Sequence, residues 1–303
     1  MDNLLLIFLC LAIGLVLQKV KSFPTNSYHV LNQFVICISL PAIAFYFIPE
    51  IKVDQSLLFP LAVAWITFVG SFIFFNILGK CFGWSRKLIG CLILTAGLGN
   101  TAFVGFPVIE ALYGKEGIKT AIIIDQPGTF VILSTLGIAT AAIYSKGKPN
   151  FSDILKKVFL FPPFVAFLLA SIMNLMDLHF IDTFQSVFQK LGSTVTPLAL
   201  ISVGLQLRVE RKSKHWQFLF LGLGYKLMLL PALIYLLYVK VFEAKGIPIQ
   251  ISIIEAAMAP MITAAIVSAS YGLKPRLSSM MIGFGIPISF ITLAFWYSIV
   301  RYI

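Results

Sequence analysis

Apolar runs of membrane-crossing length follow one another along this chain, separated only by short polar stretches. Segments of roughly 20 apolar residues fall at about 4–19, 28–48, 56–80, 88–113, 118–144, 154–176, 181–207, 216–240, 249–272 and 277–300. The pattern predicts an all-α integral membrane protein with ten transmembrane helices and no soluble domain. The first run, Leu4 to Leu17, has Asp2 before it and Lys19 and Lys21 after it. A signal peptide carries its positive charge ahead of the apolar run, so this one reads as a retained helix.

Two of the runs are interrupted. In the fourth, Leu98 to Gly114 places Asn100, Gly105 and Pro107 where a spanning helix should be continuous, and in the ninth Pro260 falls within Met258 to Gly272. Inside a bilayer a break in the backbone survives only where it lines a cavity or is buried in protein. Matched interruptions in the two halves of a chain point to a transporter's binding site. The reading is of two helices, four and nine, broken at prolines and crossing near the midplane.

Charge then orients the chain. Loops after helices one, three, five, seven and nine hold Lys19 and Lys21; Lys80, Arg86 and Lys87; Lys146, Lys148, Lys156 and Lys157; Arg208, Arg211, Lys212 and Lys214; Lys274 and Arg276. The opposite side has Lys52, Lys115, Lys119, Lys240, Lys245 and Arg301. By the positive-inside rule the basic loops are cytoplasmic and both termini extracytoplasmic. The net charge of +11 then reflects basic loops beside an anionic leaflet and implies no nucleic acid. Composition agrees, with 59% hydrophobic and 12% charged residues against about 25% charged in soluble domains. Five helices followed by five more begin the halves on opposite faces, which is an inverted repeat. Residues 1–145 form the first half, 146–153 a short cytoplasmic linker and 154–303 the second half. Pro41 and Pro197, Pro60 and Pro231, and Pro127 and Pro287 occupy comparable places in the two halves.

With this orientation, the second half of each broken helix starts at the break, near Phe106-Pro107 and at Pro260, with Pro107 in the favoured first helical position. Helix amino ends carry about +0.5 of an elementary charge and free N–H donors, so two of them at one midplane site favour an anion. The Asn100 amide is placed to bond a carboxylate there.

The motif Asn100, Phe103, Gly105 and Pro107, followed by Leu112-Tyr113-Gly114, resembles the fourth-helix signature of the auxin efflux carrier family, and Ala259-Pro260 is similar to its ninth helix. The resemblance implies the fold shared by plant auxin carriers and bacterial malate or malonate permeases. In that fold helices four and nine cross at their prolines and the substrate carboxylate binds at the crossing. Carried onto this chain, the site takes in Asn100, Gly105, Pro107, Pro260, Met261 and Thr263. Two departures stand out: the cytoplasmic loop is only Ser145 to Asp153, and no asparagine near Pro260 mirrors Asn100. Both favour a microbial-type carrier of small organic anions working by alternating access in the plasma membrane, the inner membrane of a bacterium. A homodimer is compatible with this reading.

Ionisable residues inside spans are costly and so tend to be functional or paired. Glu255, in the last turn before Pro260, and Asp125, early in helix five, are candidates for proton or Na+ coupling; the alternatives are an internal ion pair or an orientation toward the outer headgroups for Glu255, and a structural bond near Gln126 and Pro127 for Asp125. Lys226 is a counter-ion or substrate contact, and Lys190 is expected in an ion pair. Glu110 reads as interfacial, Trp84, Trp216 and Trp296 as lipid-facing anchors, and Ser39 and Thr196 as partners for backbone groups that the adjacent prolines free, with a cavity-facing position as the alternative for both. Asn32 and Asn174 read as packing or capping residues, and Gly70, Gly79, Gly222 and Gly224 as points of close helix contact. No metal site or cofactor is indicated, the four cysteines having no CxxC spacing, and no hydrolase motif suggests an enzyme. The alternatives are a sodium-coupled symporter of the bile-acid type and an anion sensor that transports nothing.

Overall fold

A computed structural model describes residues 2–24, 26–51, 57–145, 152, 159–206 and 215–303. In chain order the α-helices are α1 (Asp2–Leu17), α2 (Ser27–Phe34), α3 (Leu40–Phe47), α4 (Leu58–Cys81), α5 (Arg86–Gly97), α6 (Phe106–Ile124), α7 (Ile138–Ser145), α8 (Pro162–Leu175), α9 (Asp182–Gly192), α10 (Val195–Gln206), α11 (Trp216–Gly224), α12 (Leu230–Tyr235), α13 (Ile247–Ala256), α14 (Ile262–Ser270) and α15 (Pro275–Val300). There is no β-strand among the described residues. Five continuous helical runs there are long and apolar enough to cross a membrane: Ser27–Glu50, Leu58–Cys81, Thr101–Ser145, Trp216–Val241 and Pro275–Val300. Within the third of these Gly114, at φ 70°, breaks the helical path. Of the basic residues that set the orientation, Lys52, Lys146, Lys148, Lys156, Lys157, Arg208, Arg211, Lys212 and Lys214 lie outside the described residues, as does most of the 146–153 linker.

Six π-helical turns occur among the described residues, and prolines explain where three of them fall. A proline at position i removes the donor for the carbonyl of i−4 and crowds it, and a π-turn widens the helix at that carbonyl. The carbonyls in question for Pro41, Pro107 and Pro231 belong to Cys37, Phe103 and Leu227. They sit inside the π-turns Val35–Ser39, Thr101–Gly105 and Tyr225–Leu229. A fourth π-turn, Asp125–Phe130, contains Pro127 itself.

The contacts divide the chain into two compact units. The first comprises Met1–Gln55, Ala102–Ile122 and Phe159–Leu207. In it α1 packs on α10 at backbone distance: a Cβ on Gly204 would lie 2.5 Å from Leu11 O and 2.8 Å from Gly14 Cα. The Gln18 amide seals one end of this pair by donating to Gly204 O at 2.6 Å. Asn174 caps the helical end at Glu50, its amide nitrogen donating to the carbonyls of Ile48, Pro49 and Ile51. Asn32 accepts from the Ser202 hydroxyl at 2.5 Å. Both asparagines fill the capping and packing roles read from sequence.

The second unit comprises Ser56–Thr101, Ile123–Val158 and Arg208–Ile303. Its core runs through Phe68, Phe75, Leu92, Ile93, Leu223 and Met281. Here α5 and α13 both pack on α4, while α14 packs on α5 and α15. Close approach is visible at Gly79, where a Cβ would meet the Ile89 side chain at 2.3 Å, and at Gly222, where it would meet Met281 at 3.0 Å.

Several sequence expectations need correction. Trp296 is buried and not lipid-facing: its indole N–H donates to Leu227 O at 2.9 Å, supplying the donor that Pro231 lacks. Lys190 is exposed on amphipathic α9 and in no ion pair among the described residues, because α9 is a separate short helix and not the start of one long span. Ser39 shares a hydrogen bond with the Thr194 hydroxyl at 2.7 Å, and Thr196 donates to Glu110 Oε2 at 3.2 Å, so neither serves a proline-freed backbone group. Glu110, half-buried, thereby belongs to a cavity of the first unit lined also by Phe47, Phe106, Lys115 and Thr196. Gly224 touches nothing within 4 Å of its Cβ position, so it makes no close helix contact.

Candidate functional site

Both predicted breaks exist. α5 stops at Gly97 and the chain runs extended through Leu98 to Asn100 before helix resumes at Thr101. α13 stops at Ala256, and α14 starts at Ile262 after Met261, whose backbone is extended at φ −70° and ψ 125°. The two irregular stretches meet. Gly99 and Pro260 form an antiparallel bridge, with Asn100 N donating to Ala259 O at 2.8 Å and Met261 N donating to Leu98 O at 3.0 Å. Each break thus satisfies the other's backbone, as a buried interruption of a span requires.

After the first break, helix resumes at Thr101, five residues ahead of the expected restart at Phe106-Pro107. The extended residues of the break are Leu98, Gly99 and Asn100, whereas Pro107 is already on the helical path and not at its first position. The π-turn Thr101–Gly105 absorbs the missing Pro107 donor, so the proline need not begin the helix. Gly105 and Pro107 are buried and belong to the first compact unit; the crossover itself, with Asn100 and Pro260, lies wholly in the second.

Three ionisable side chains surround this bridge, all almost completely buried: Asp125 at 3%, Lys226 at 1% and Glu255 at 1% exposure. Lys226 Nζ donates to Ala256 O at 3.0 Å. Its ammonium therefore caps the carbonyl end of α13, where a cation is favoured, rather than forming the expected direct ion pair or reaching for the interface. Asp125 accepts from the Thr101 hydroxyl at 2.6 Å and from the Gln126 amide at 2.8 Å. Glu255, in the last turn of α13, has no hydrogen-bond partner for either carboxyl oxygen among the described residues. Asp125 and Lys226 are the charged groups that act on it.

Beyond the bridge, Met261 and Thr263 are half-buried at the start of α14. That helix offers N–H donors without intrahelical acceptors in its first turn, so its amino end is an electropositive edge following the bridge that the Asn100 backbone makes with Ala259. Sequence reasoning missed three contributors, Gly99, Gly285 and Thr101, while the bond of Asp125 near Gln126 was among its readings. Gly99 holds the bridge: a Cβ there would lie 3.1 Å from Lys226 Nζ and 3.3 Å from Glu255 O. Gly285 makes room for the Pro260 ring. Thr101 and Gln126 hold Asp125. The Gly97-Leu98-Gly99 run was the available signal for the first break, while Gly285 and Thr101 show no local pattern.

Helices that are apolar over membrane length, with two broken ones tied together around buried charge, define an integral, multi-pass membrane protein. Comparison with known proteins gives the class: residues 1–297 match the family model described as membrane transport protein, Mem_trans. The chain belongs to that family, in keeping with its auxin efflux carrier motif, and is a membrane transporter and not an enzyme. Two relatives cover nearly all of it. It is 27% identical over 305 residues to an uncharacterized transporter of Methanocaldococcus jannaschii, spanning 98% of this chain and 97% of that one. It is 26% identical over 299 residues to an uncharacterized transporter of Methanothermobacter thermautotrophicus, spanning 97% and 96%.

Proposed function

We propose that this protein is a secondary transporter of small organic anions that works by alternating access. The carrying observation is the backbone bridge between Gly99 and Pro260. It sets the amino end of α14 and the Asn100 side chain at one buried place, near the Lys226 ammonium. A carboxylate docked there accepts from the first N–H groups of α14 and from the Asn100 amide, with Met261 and Thr263 bordering its organic part.

This reading includes ten spans arranged as a five-plus-five inverted repeat, residues 1–145 and 154–303, in the plasma membrane with both termini outside. Support comes from the matched positions of the two breaks, since each falls in the fourth apolar run of its half. Gly105 and Pro107 shape the half-helix that leaves the first break.

The test has two arms. Purified full-length protein is screened by thermal shift against mono- and dicarboxylates, with and without sodium. Ligands that stabilise it are then offered to proteoliposomes. Stabilisation followed by accumulation supports the proposal. A sensor binds but accumulates nothing, a bile-acid-type symporter needs sodium throughout, and stabilisation by no carboxylate refutes the anion site.

A further inference from the structure

The buried cluster beside the crossover holds one ammonium and two carboxyl groups, and the two carboxyls are held differently. Asp125 receives two hydrogen bonds, from Thr101 and Gln126, which favour its ionised form. Glu255 receives none, although it is as deeply buried. A carboxylate left ionised in such a place, with no donor and no direct cation, carries a heavy desolvation cost. If Glu255 is protonated, Lys226 and Asp125 balance and the cluster is neutral.

Building on the anion-transport reading, we propose that Glu255 is the proton-carrying site of this transporter, loading one proton for each anion moved. The step is a simple exchange. An O–H bond forms on a Glu255 oxygen with a proton taken from water on the side to which the site is open. That bond breaks on the other side, where the proton returns to water. Lys226 stays in place as the cap of α13, and Asp125 stays ionised in the hydrogen bonds from Thr101 and Gln126.

Sodium fits this position less well. The Lys226 ammonium, which already acts on Glu255, repels a second cation. The elements packed on α13 are α4, α12 and α15. Their titratable side chains are Lys80, Cys81, Tyr235, Arg276 and Tyr297, and the charged groups that act on Glu255 are Asp125 and Lys226.

Infrared spectroscopy of the full-length protein tests the proton directly, without relying on transport. At neutral pH the wild type should show a protonated-carboxyl C=O band that shifts on 13C-glutamate labelling and disappears in Glu255→Gln. Asp125→Asn should also remove it, because the Asp125 charge that opposes ionisation of Glu255 is then gone while the Lys226 charge that favours it remains. Thermal melts establish that both variants are folded, and Glu255→Asp, which keeps a carboxyl, should retain a band. Absence of any band that depends on Glu255 overturns the proposal.

Coupling is read in proteoliposomes with radiolabelled malate and the membrane potential clamped. One proton per anion gives an accumulation ratio of about tenfold per unit of pH difference, and Glu255→Gln should lose that response. Uptake that follows a sodium gradient instead, or a variant that still follows pH, overturns the coupling. A Glu255 band without malate binding or uptake sustains the proton site and counts against the anion reading, so the two failures are distinguishable.

Discussion

The pyrrolidine ring of Pro260 fills the space that a side chain on Gly285 would need: a Cβ there would lie 2.7 Å from Pro260 Cδ and 2.9 Å from Cγ. The ring is rigid and its backbone is tied to Gly99, so it cannot yield. Gly285→Ala should cost about 1–3 kcal/mol by overpacking and displace the bridge. A lowered melting temperature of the detergent-purified protein, together with reduced uptake, checks this. A variant as stable as the wild type would mean that α15 shifts freely.

Asn100 contributes to the crossover twice, and only one contribution depends on its side chain. Its main-chain N–H bonds Ala259 O, so Asn100→Ala should leave a folded protein. The lost amide donor to a charged ligand is worth about 1.5–3 kcal/mol. Affinity for the carboxylate should therefore fall roughly 10- to 100-fold, measured by thermal shift against the ligand that best stabilises the wild type. Near-normal affinity would remove the side chain from the site.

Trp296 supplies the donor that Pro231 lacks. Trp296→Phe keeps the ring packing but strands Leu227 O in a buried place. The expected loss is about 1–3 kcal/mol for an unsatisfied buried polar group. Comparing the melts of Trp296→Phe and wild type measures it.

At the α1–α10 contact, Gly204→Ala would drive a Cβ into the Leu11 carbonyl and Gly14. Backbone atoms cannot rotate away, so the helices must part and lose the Gln18 bond as well. A large drop in folded yield is expected, whereas Gly224→Ala, which meets nothing, should be neutral. Fluorescence-detected size exclusion of the two variants checks the contrast.

His179 sits in the α8–α9 connection, bonded to Asp177 at 3.2 Å and Glu50 at 3.0 Å, and these partners raise its pKa above the ordinary 6.5. A raised histidine contributes stability that is full below the unfolded value and fades as pH rises through the folded one. The difference in melting temperature between wild type and His179→Gln should therefore be largest below pH 6.5 and vanish in alkaline buffer. The effect is small because the group is exposed.

The membrane class and both interruptions were legible from hydropathy and from Asn100, Pro260 and their neighbours, since a polar or proline position inside an apolar run is a local signal. The exact site of the first break was not. A proline can start a helix or be absorbed by a π-turn, and only the surrounding turns decide which. Lys226 shows a second limit: its burial was readable, but its partner, Ala256 O, lies thirty residues away and is a backbone atom that no residue type announces. Trp296 and Thr196 escaped for the same reason, one serving a carbonyl and the other a carboxylate set far apart in sequence.

The knot between the two snapped helices is made of peptide groups alone, from Leu98 and Asn100 to Ala259 and Met261. Substitutions at those four positions that accept the same backbone shape leave the fastening untouched. Under the proposed anion site, scaffold and cargo recognition are therefore separable: side chains at the crossover can be rewritten without undoing the joint itself.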